Sequence, residues 1–182
     1  VRYIAIGNGI DTGDTSAAND MIPFLSVMND MYAKDISRKV RSVLATKRRN
    51  GEYVGSAPPY GYKRDPQDRG HLVIDEEAAQ TVRYIFDMAV AGYGLTRITR
   101  ELNARGIPSP AVYSHKKDSC LWDRTYVRRL LKNVVYTGVL AQGRTTKVNY
   151  KSNMSVNVPP EKWTVTVNAH QPIVSQETFD AA

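Results

Sequence analysis

Apolar residues recur at three- and four-residue steps from Phe24 to Leu44: Phe24, Val27, Met28, Met31, Tyr32, Ile36, Val40, Val43 and Leu44. That repeat marks one face of an α-helix. It predicts an amphipathic helix of about seven turns starting near Asn19 or Asp20. Pro23 fits such a helix only in its first turn, where it has no helix hydrogen bond to break. Ahead of the helix, Arg2-Tyr3-Ile4-Ala5-Ile6 alternates and carries β-branched residues, as a strand does. Gly7 to Asp14 is a run of turn formers.

The repeat breaks after residue 50, where Gly51, Gly55, Pro58, Pro59 and Gly61 preclude a helix. Leu72-Val73-Ile74 then reads as a short strand. Asp75 is placed as an N-cap, with Glu76 and Glu77 in the first turn of a helix whose apolar face is Val82, Ile85, Phe86 and Ala89. Gly92 and Gly94 end it. Thr96 is expected to cap a second helix, with Ile98 and Leu102 facing inward and Gly106-Ile107-Pro108 stopping it. After a polar loop, Asp123 caps a third helix, Arg124 to Lys132, with Tyr126, Val127, Leu130 and Leu131 turned to a core. Val139-Leu140-Ala141 and Trp163-Thr164-Val165-Thr166-Val167 read as strands that can pair. Between them, Gly143 to Pro160 is polar and expected to be mobile. Three short helices followed by a strand pair have the outline of a winged helix-turn-helix. The fold class is therefore α+β and mostly helical: a long amphipathic helix, then a small winged-helix-like three-helix domain with short β-strands.

The chain has 182 residues, 42% hydrophobic and 24% charged, enough for one or two domains with a real core. No apolar run reaches the ~18 residues that span a bilayer. Cys120 stands alone and the three His residues are scattered, so no disulfide and no metal-ligand cluster is expected, and the default setting is reduced and intracellular. The net charge of +7 changes the picture because of where it sits. Residues 34–64 hold nine bases and two acids, and residues 116–151 hold nine and two; the rest of the chain is mildly acidic. Two focused basic blocks are an electrostatic footprint for a polyanion.

Within the first block, bases collect at the helix C-terminus, where the macrodipole favours some of them. Lys34, Arg38, Lys39, Arg41, Lys47, Arg48 and Arg49 exceed that need. The helix then unravels into a Gly/Pro-stiffened strap ending in Tyr62, Lys63 and Arg64. Such a strap suits a nucleic-acid groove: charge draws it to phosphates and small residues allow close approach. Expected to be mobile when free, it would order on the minor groove. Within the second block, the third helix turns Arg124, Thr125, Arg128, Arg129 and Lys132 outward. A third helix in this geometry enters the major groove with its N-terminal residues at base edges. The candidate DNA contacts are therefore Arg38, Arg41, Lys47, Arg48, Arg49, Tyr62, Lys63, Arg64, Arg124, Thr125, Arg128, Arg129 and Lys132. A base-stacking aromatic pattern on a sheet, as RNA-binding modules carry, is not evident. A winged helix-turn-helix transcription regulator is the alternative reading of the same outline.

Several ordered motifs resemble one family, the large serine recombinases, which include serine integrases and transposon recombinases. Ile4-Ala5-Ile6 with Gly9-Ile10-Asp11-Thr12 is similar to the last strand and loop of that family's catalytic domain. Met28-Asn29-Asp30-Met31-Tyr32-Ala33-Lys34-Asp35-Ile36-Ser37-Arg38-Lys39 resembles its long helix. Pro58-Pro59-Tyr60-Gly61-Tyr62 resembles the entry to the recombinase domain. Leu102-Asn103-Ala104-Arg105-Gly106-Ile107-Pro108 and the run from Trp122 to Gly138 resemble that domain's two most recognisable motifs. His170-Gln171-Pro172-Ile173-Val174-Ser175 resembles the lead-in to a zinc-containing domain.

The resemblance implies four segments: residues 1–50 as the end of a resolvase-like catalytic domain, 51–65 as a basic linker, 66–168 as the recombinase domain and 169–182 as the lead-in. Val1 opens in a strand without an initiator Met and Phe179 to Ala182 stops in a helical pattern, so an internal piece of a longer protein is expected. The serine nucleophile would lie upstream and the zinc-binding cysteines downstream. No catalytic residue, metal ligand or cofactor is expected within the chain. Ser37 and Ser56 lack a local base and read as helix-surface and strap residues. Asn8 stands where the family would have an acid, and the helix lacks the Glu-Arg pair that smaller resolvases carry near Tyr32 and Ala33. The implied partners are double-stranded DNA and further copies of the chain, as a dimer or a synaptic tetramer joined through the long helix. The implied setting is cytoplasmic and nucleoid-associated, bacterial or phage-encoded.

Overall fold

The computed structural model describes residues 4–5, 10–11 and 22–182. The expected turn region around Asn8 and the expected helix start at Asn19 or Asp20 lie outside them. The chain divides into two compact units: Val1–Ala45 with Thr146–Val156, and Thr46–Thr145 with Asn157–Ala182.

In the first unit, β1 (Ile4–Ala5) pairs antiparallel with β2 (Ile10–Asp11), Ile4 opposite Asp11 and Ala5 opposite Ile10. Helix α1 (Ile22–Arg49) takes the predicted amphipathic repeat, with Pro23 in its first turn. No residue of α1 is buried. The segment from Gly143 to Pro160 does not stay a loose loop. It forms a second ladder, β6 (Thr145–Lys147) with β7 (Ser155–Asn157), closed by Val148 N donating to Met154 O at 3.1 Å. At its turn, Lys151 Nζ meets Asp30 Oδ1 of α1 at 2.6 Å and Tyr150 donates its hydroxyl to Asp30 Oδ2 at 2.7 Å. The Lys151 bond, followed by that of Tyr150, holds the Asp30 carboxyl below its ordinary range.

The second unit begins in the last turn of α1. Gly51 at φ +77° lets its N–H reach Arg48 O, while Glu52 N reaches Lys47 O, both at 3.0 Å. This is the left-handed cap that glycine allows at a helix C-terminus. Next come β3 (Tyr62–Arg64) and β4 (Leu72–Ile74), antiparallel with Lys63 opposite Val73. Helices α2 (Glu76–Val90), α3 (Leu95–Ala104), α4 (Pro110–Tyr113) and α5 (Arg124–Leu131) follow. A 3-10 turn at Val134–Thr137 leads to β5 (Leu140–Gln142), which pairs with β8 (Thr164–Thr166) as the sequence suggested, Ala141 opposite Val165. Helix α6 (Gln176–Ala181) ends the chain.

One core joins these elements. α2 contributes Val82, Ile85 and Phe86, α3 contributes Ile98 and Leu102, and α5 contributes Val127 and Leu130. All three helices pack on one another. Tyr136, fully enclosed, donates its hydroxyl to Tyr60 O at 3.0 Å, so the polar end of a buried ring is satisfied.

Residues 51–65 are not a linker. Tyr60 and Tyr62 belong to the core, Tyr53 N donates to Gly70 O at 2.7 Å, and residues 62–64 are a strand. Gly61, at φ +93°, passes so close to α2 and the C-terminal segment that an added Cβ would lie 3.0 Å from Val82 Cγ2 and 2.9 Å from Ile173 Cδ1. Residues 169–182 are likewise integral. Ile173 and Val174 are buried, their N–H groups bond Tyr136 O, and Phe179 of α6 meets Phe86 with ring centres 5.9 Å apart. Two capping expectations also change. Gly94, not Thr96, holds the N-cap of α3, and Thr96 lies inside the helix. Asp75 occupies the N-cap of α2, but its carboxylate accepts from the Tyr113 hydroxyl at 3.0 Å instead of capping.

Candidate nucleic-acid interface

Helix α5 is fixed from both ends. Before it, the Asn103 side chain grips the backbone of Trp122 twice: Trp122 N donates to Oδ1 at 2.9 Å and Nδ2 donates to Trp122 O at 3.1 Å. The Trp122 ring is buried, with its Nε1 donating to Ile107 O at 3.0 Å. Asp123 Oδ1 then accepts from Tyr126 N at 2.8 Å, a side-chain N-cap that starts the helix at Arg124. After α5, Asn133 caps the following 3-10 turn by accepting from Val135 N. Val127 and Leu130 turn inward, so Arg124, Thr125, Arg128, Arg129 and Lys132 are left exposed.

Arg124, Thr125 and Arg128 share one depression of about 420 Å³ with Leu95 and Thr96 of α3. Arg128 and Lys132 reach a second one of about 750 Å³, with Leu95, Leu131, Val134 and Phe179. Arg129 lies over the Tyr126 ring, its guanidinium carbon 5.4 Å from the ring centre. The predicted outward set on α5 is therefore assembled on a single element. Thr96, expected to cap α3, instead lines this depression beside Leu95.

The remaining candidates divide. Arg38 and Arg41 lie exposed on α1 in the first unit. In the second unit, Lys47 is paired with Glu52 at 2.8 Å and Arg49 Nη2 donates to Thr46 Oγ1 at 3.2 Å, both still solvent-accessible. Arg48 is half-buried, and its covered Nε has no hydrogen-bond partner among the described residues. Lys63 is exposed on β3. Tyr62 is not placed to touch a ligand. It is 4% exposed and spends its hydroxyl on Gln171 O and Val135 O, and burial pushes its ionisation well up. Arg64 is also committed internally: it donates to Arg69 O at 2.6 Å and to Gly55 O, and lies over the Tyr53 ring. Charge alone gave no sign that this guanidinium ties the strap down.

Among the described residues no group of three His, Cys, Asp or Glu is placed to hold a metal ion, and no helix is long and apolar enough to cross a membrane.

A capped basic helix packed in a three-helix core and followed in sequence by a short strand pair gives the second unit an α+β, winged-helix-like fold. The Recombinase family model matches residues 76–182, and the chain belongs to that family. No curated protein matches the chain. Among solved structures, one described as a crystal structure of an LSR–DNA complex is 19% identical, covers 78% of this chain and 37% of its own, and has a TM-score of 0.49. Another, from work on the sequence requirements of the Listeria innocua prophage attP site, is 22% identical, covers 77% of this chain and 48% of its own, and has a TM-score of 0.45. The chain thus spans less than half of either solved chain.

Proposed function

We propose that this chain is the DNA-recognition portion of a large serine recombinase, with α5 entering the major groove of its target site. The observation that carries the reading is the outward row Arg124, Thr125, Arg128, Arg129 and Lys132 on a helix whose start is fixed by Asn103, Trp122 and Asp123. Arg124 and Thr125 sit at the N-terminal tip and are the best placed to reach base edges, and Arg128, one turn on, flanks them. The bases at the end of α1 and Lys63 supply phosphate contacts that position without specifying. The parent enzyme would cut both strands through phosphoserine links and rejoin them after exchange, with its nucleophile outside this chain. The exposed stripe Val27, Met28, Met31, Tyr32 and Ile36 of α1 serves self-association, since contiguous apolar surface of this kind is what an interface covers.

The test is duplex binding by the whole chain at several salt concentrations. If ~6–8 phosphates are contacted, the log–log salt slope is roughly −5 to −7. Arg124→Ala lowers affinity for the cognate half-site more than for scrambled DNA, by roughly 1–3 kcal/mol of discrimination. A slope near zero rejects DNA binding. An unchanged specificity ratio for both Arg124→Ala and Arg128→Ala rejects α5 as the reading helix. Supercoiled plasmid stays intact with the purified chain.

A further inference from the structure

Charge on the second unit is not confined to α5. The chain leaving α1 is clamped onto β5 by one side chain: Gln142 Nε2 donates to Glu52 O at 2.8 Å, and Val54 N donates to Gln142 Oε1 at 3.0 Å. Thr166 of β8 closes on the same segment, its Cγ2 3.2 Å from where a Cβ on Gly51 would stand. The last turn of α1 is thereby held beside the turn that leaves β5. At that turn, Gly143 adopts φ +77°, and a Cβ there would lie 3.8 Å from Arg48 Nη1.

The next residue is Arg144. Its Nε donates to Ala141 O at 3.0 Å, and its guanidinium lies over the Trp163 ring at 4.9 Å from the centre. That ring is itself pinned by Nε1 donating to Val158 O at 2.7 Å, and Val158 N returns to Arg144 O at 2.8 Å. The Nε bond occupies one of the five guanidinium donors, so the terminal amino groups are held in orientation without being used up. The carboxylate within this segment, Glu52, is neutralised by Lys47.

We infer that Arg48 and Arg144 flank the Gly143 turn as a notch for one phosphodiester group of the DNA backbone. Arg144, held by Ala141 O and the Trp163 ring, and Arg48, whose covered Nε has no partner among the described residues, meet at a glycine turn, which suits a tetrahedral oxyanion that takes N–H donors. Prior fixing by Trp163 and Gln142 lowers the ordering cost of binding. The notch is not part of the α5 surface, and it rests on the DNA-binding reading above.

The measurement is fluorescence anisotropy of the whole chain with cognate and scrambled duplexes across a salt series, for the wild type, Arg48→Ala, Arg144→Ala and the double variant. Arg144→Ala weakens both duplexes alike, roughly five- to tenfold at 0.1 M salt, and reduces the magnitude of the log–log slope by about 0.9, the value for one phosphate. Arg48→Ala does the same. The double variant loses about one unit of slope in total, because both side chains serve one phosphate. Arg144→Lys retains the slope but not the full affinity. An unchanged slope for Arg144→Ala overturns the notch, and so does a loss of about two units in the double variant, which would mean separate phosphates. Failure of the wild type to bind either duplex instead removes the underlying DNA-binding reading. A thermal midpoint for each variant separates loss of contact from loss of fold.

Discussion

Helices α1 and α2 both carry an apolar repeat, the weaker in α1, and meet opposite fates. α2 buries Ala78, Ala79, Val82, Ile85, Phe86 and Met88 within 15 residues. α1 runs for 28 residues and buries none, leaving Met31 and Tyr32 at 66% and 70% exposure. Periodicity states that a face can be covered; it does not state by what. In α2 the cover is the chain's own core, and the hydrophobic effect stabilises this fold directly. In α1 the same free energy remains available to another molecule.

The sharpest way to break this contrast is truncation of one apolar residue on each helix. Phe86→Ala removes a fully enclosed ring that also contacts Tyr136 and Phe179. It is expected to cost about 3–5 kcal/mol in denaturant unfolding. A loss below about 1 kcal/mol would mean that the α2 face is less tightly covered than its burial indicates. Asn103→Ala comes next. It deletes both bonds to the Trp122 backbone and leaves a part-buried N–H and C=O without partners, at about 1–3 kcal/mol. Cognate-duplex affinity falls with it, because α5 loses its anchor; stability that drops without any change in binding would detach Asn103 from the interface.

A smaller effect concerns His170. Its Nε2 lies 2.7 Å from Val135 O, its buried Nδ1 has no partner among the described residues, and desolvation holds the imidazole below its ordinary value of 6.5. The native state therefore takes up a proton less readily than the unfolded chain. The stability this contributes is complete above pH 6.5 and is lost as pH falls through the lower folded value. Thermal midpoints of wild type and His170→Gln compared from pH 7.5 to 5 should converge as pH falls, and parallel curves would show that His170 is not responsible. Smallest of all is the expected stability change for Met31→Ser on α1, within roughly 0.5 kcal/mol because the site is already solvated. Sedimentation should nevertheless show weaker self-association, and an unaltered sedimentation profile alongside a self-associating wild type would move the interface off this stripe.

What could be read from residues alone follows the range of the forces involved. The long repeat of α1, the Asp123 cap and the Val127–Leu130 spacing are local signals, and each produced the element it implied. The packing of residues 51–65 is not local. Two tyrosines among glycines and prolines carry that segment's burial, and their partners, Val135, Tyr136 and Gln171, lie more than 70 positions away. The internal bonds of Arg64 are illegible for the same reason, since its acceptors are backbone oxygens that only the folded turn creates. The three-residue β3 and the four-residue α4 are too short to show a period. Arg144 escaped notice because its role depends on Trp163 beneath it and Arg48 beside the neighbouring glycine.

The grip of Asn103 on Trp122 separates two kinds of information in α5. Placement is written in Asn103, Trp122, Asp123, Val127 and Leu130, all turned toward the domain or its backbone. The outward positions 124, 125, 128 and 132 make none of these bonds, and Arg129 touches only the Tyr126 ring. They form an interchangeable cassette: new side chains can be installed there by drift or by design while the socket that holds them stays as it is. A library randomised at those five positions alone should retain the wild-type fold in most of its members.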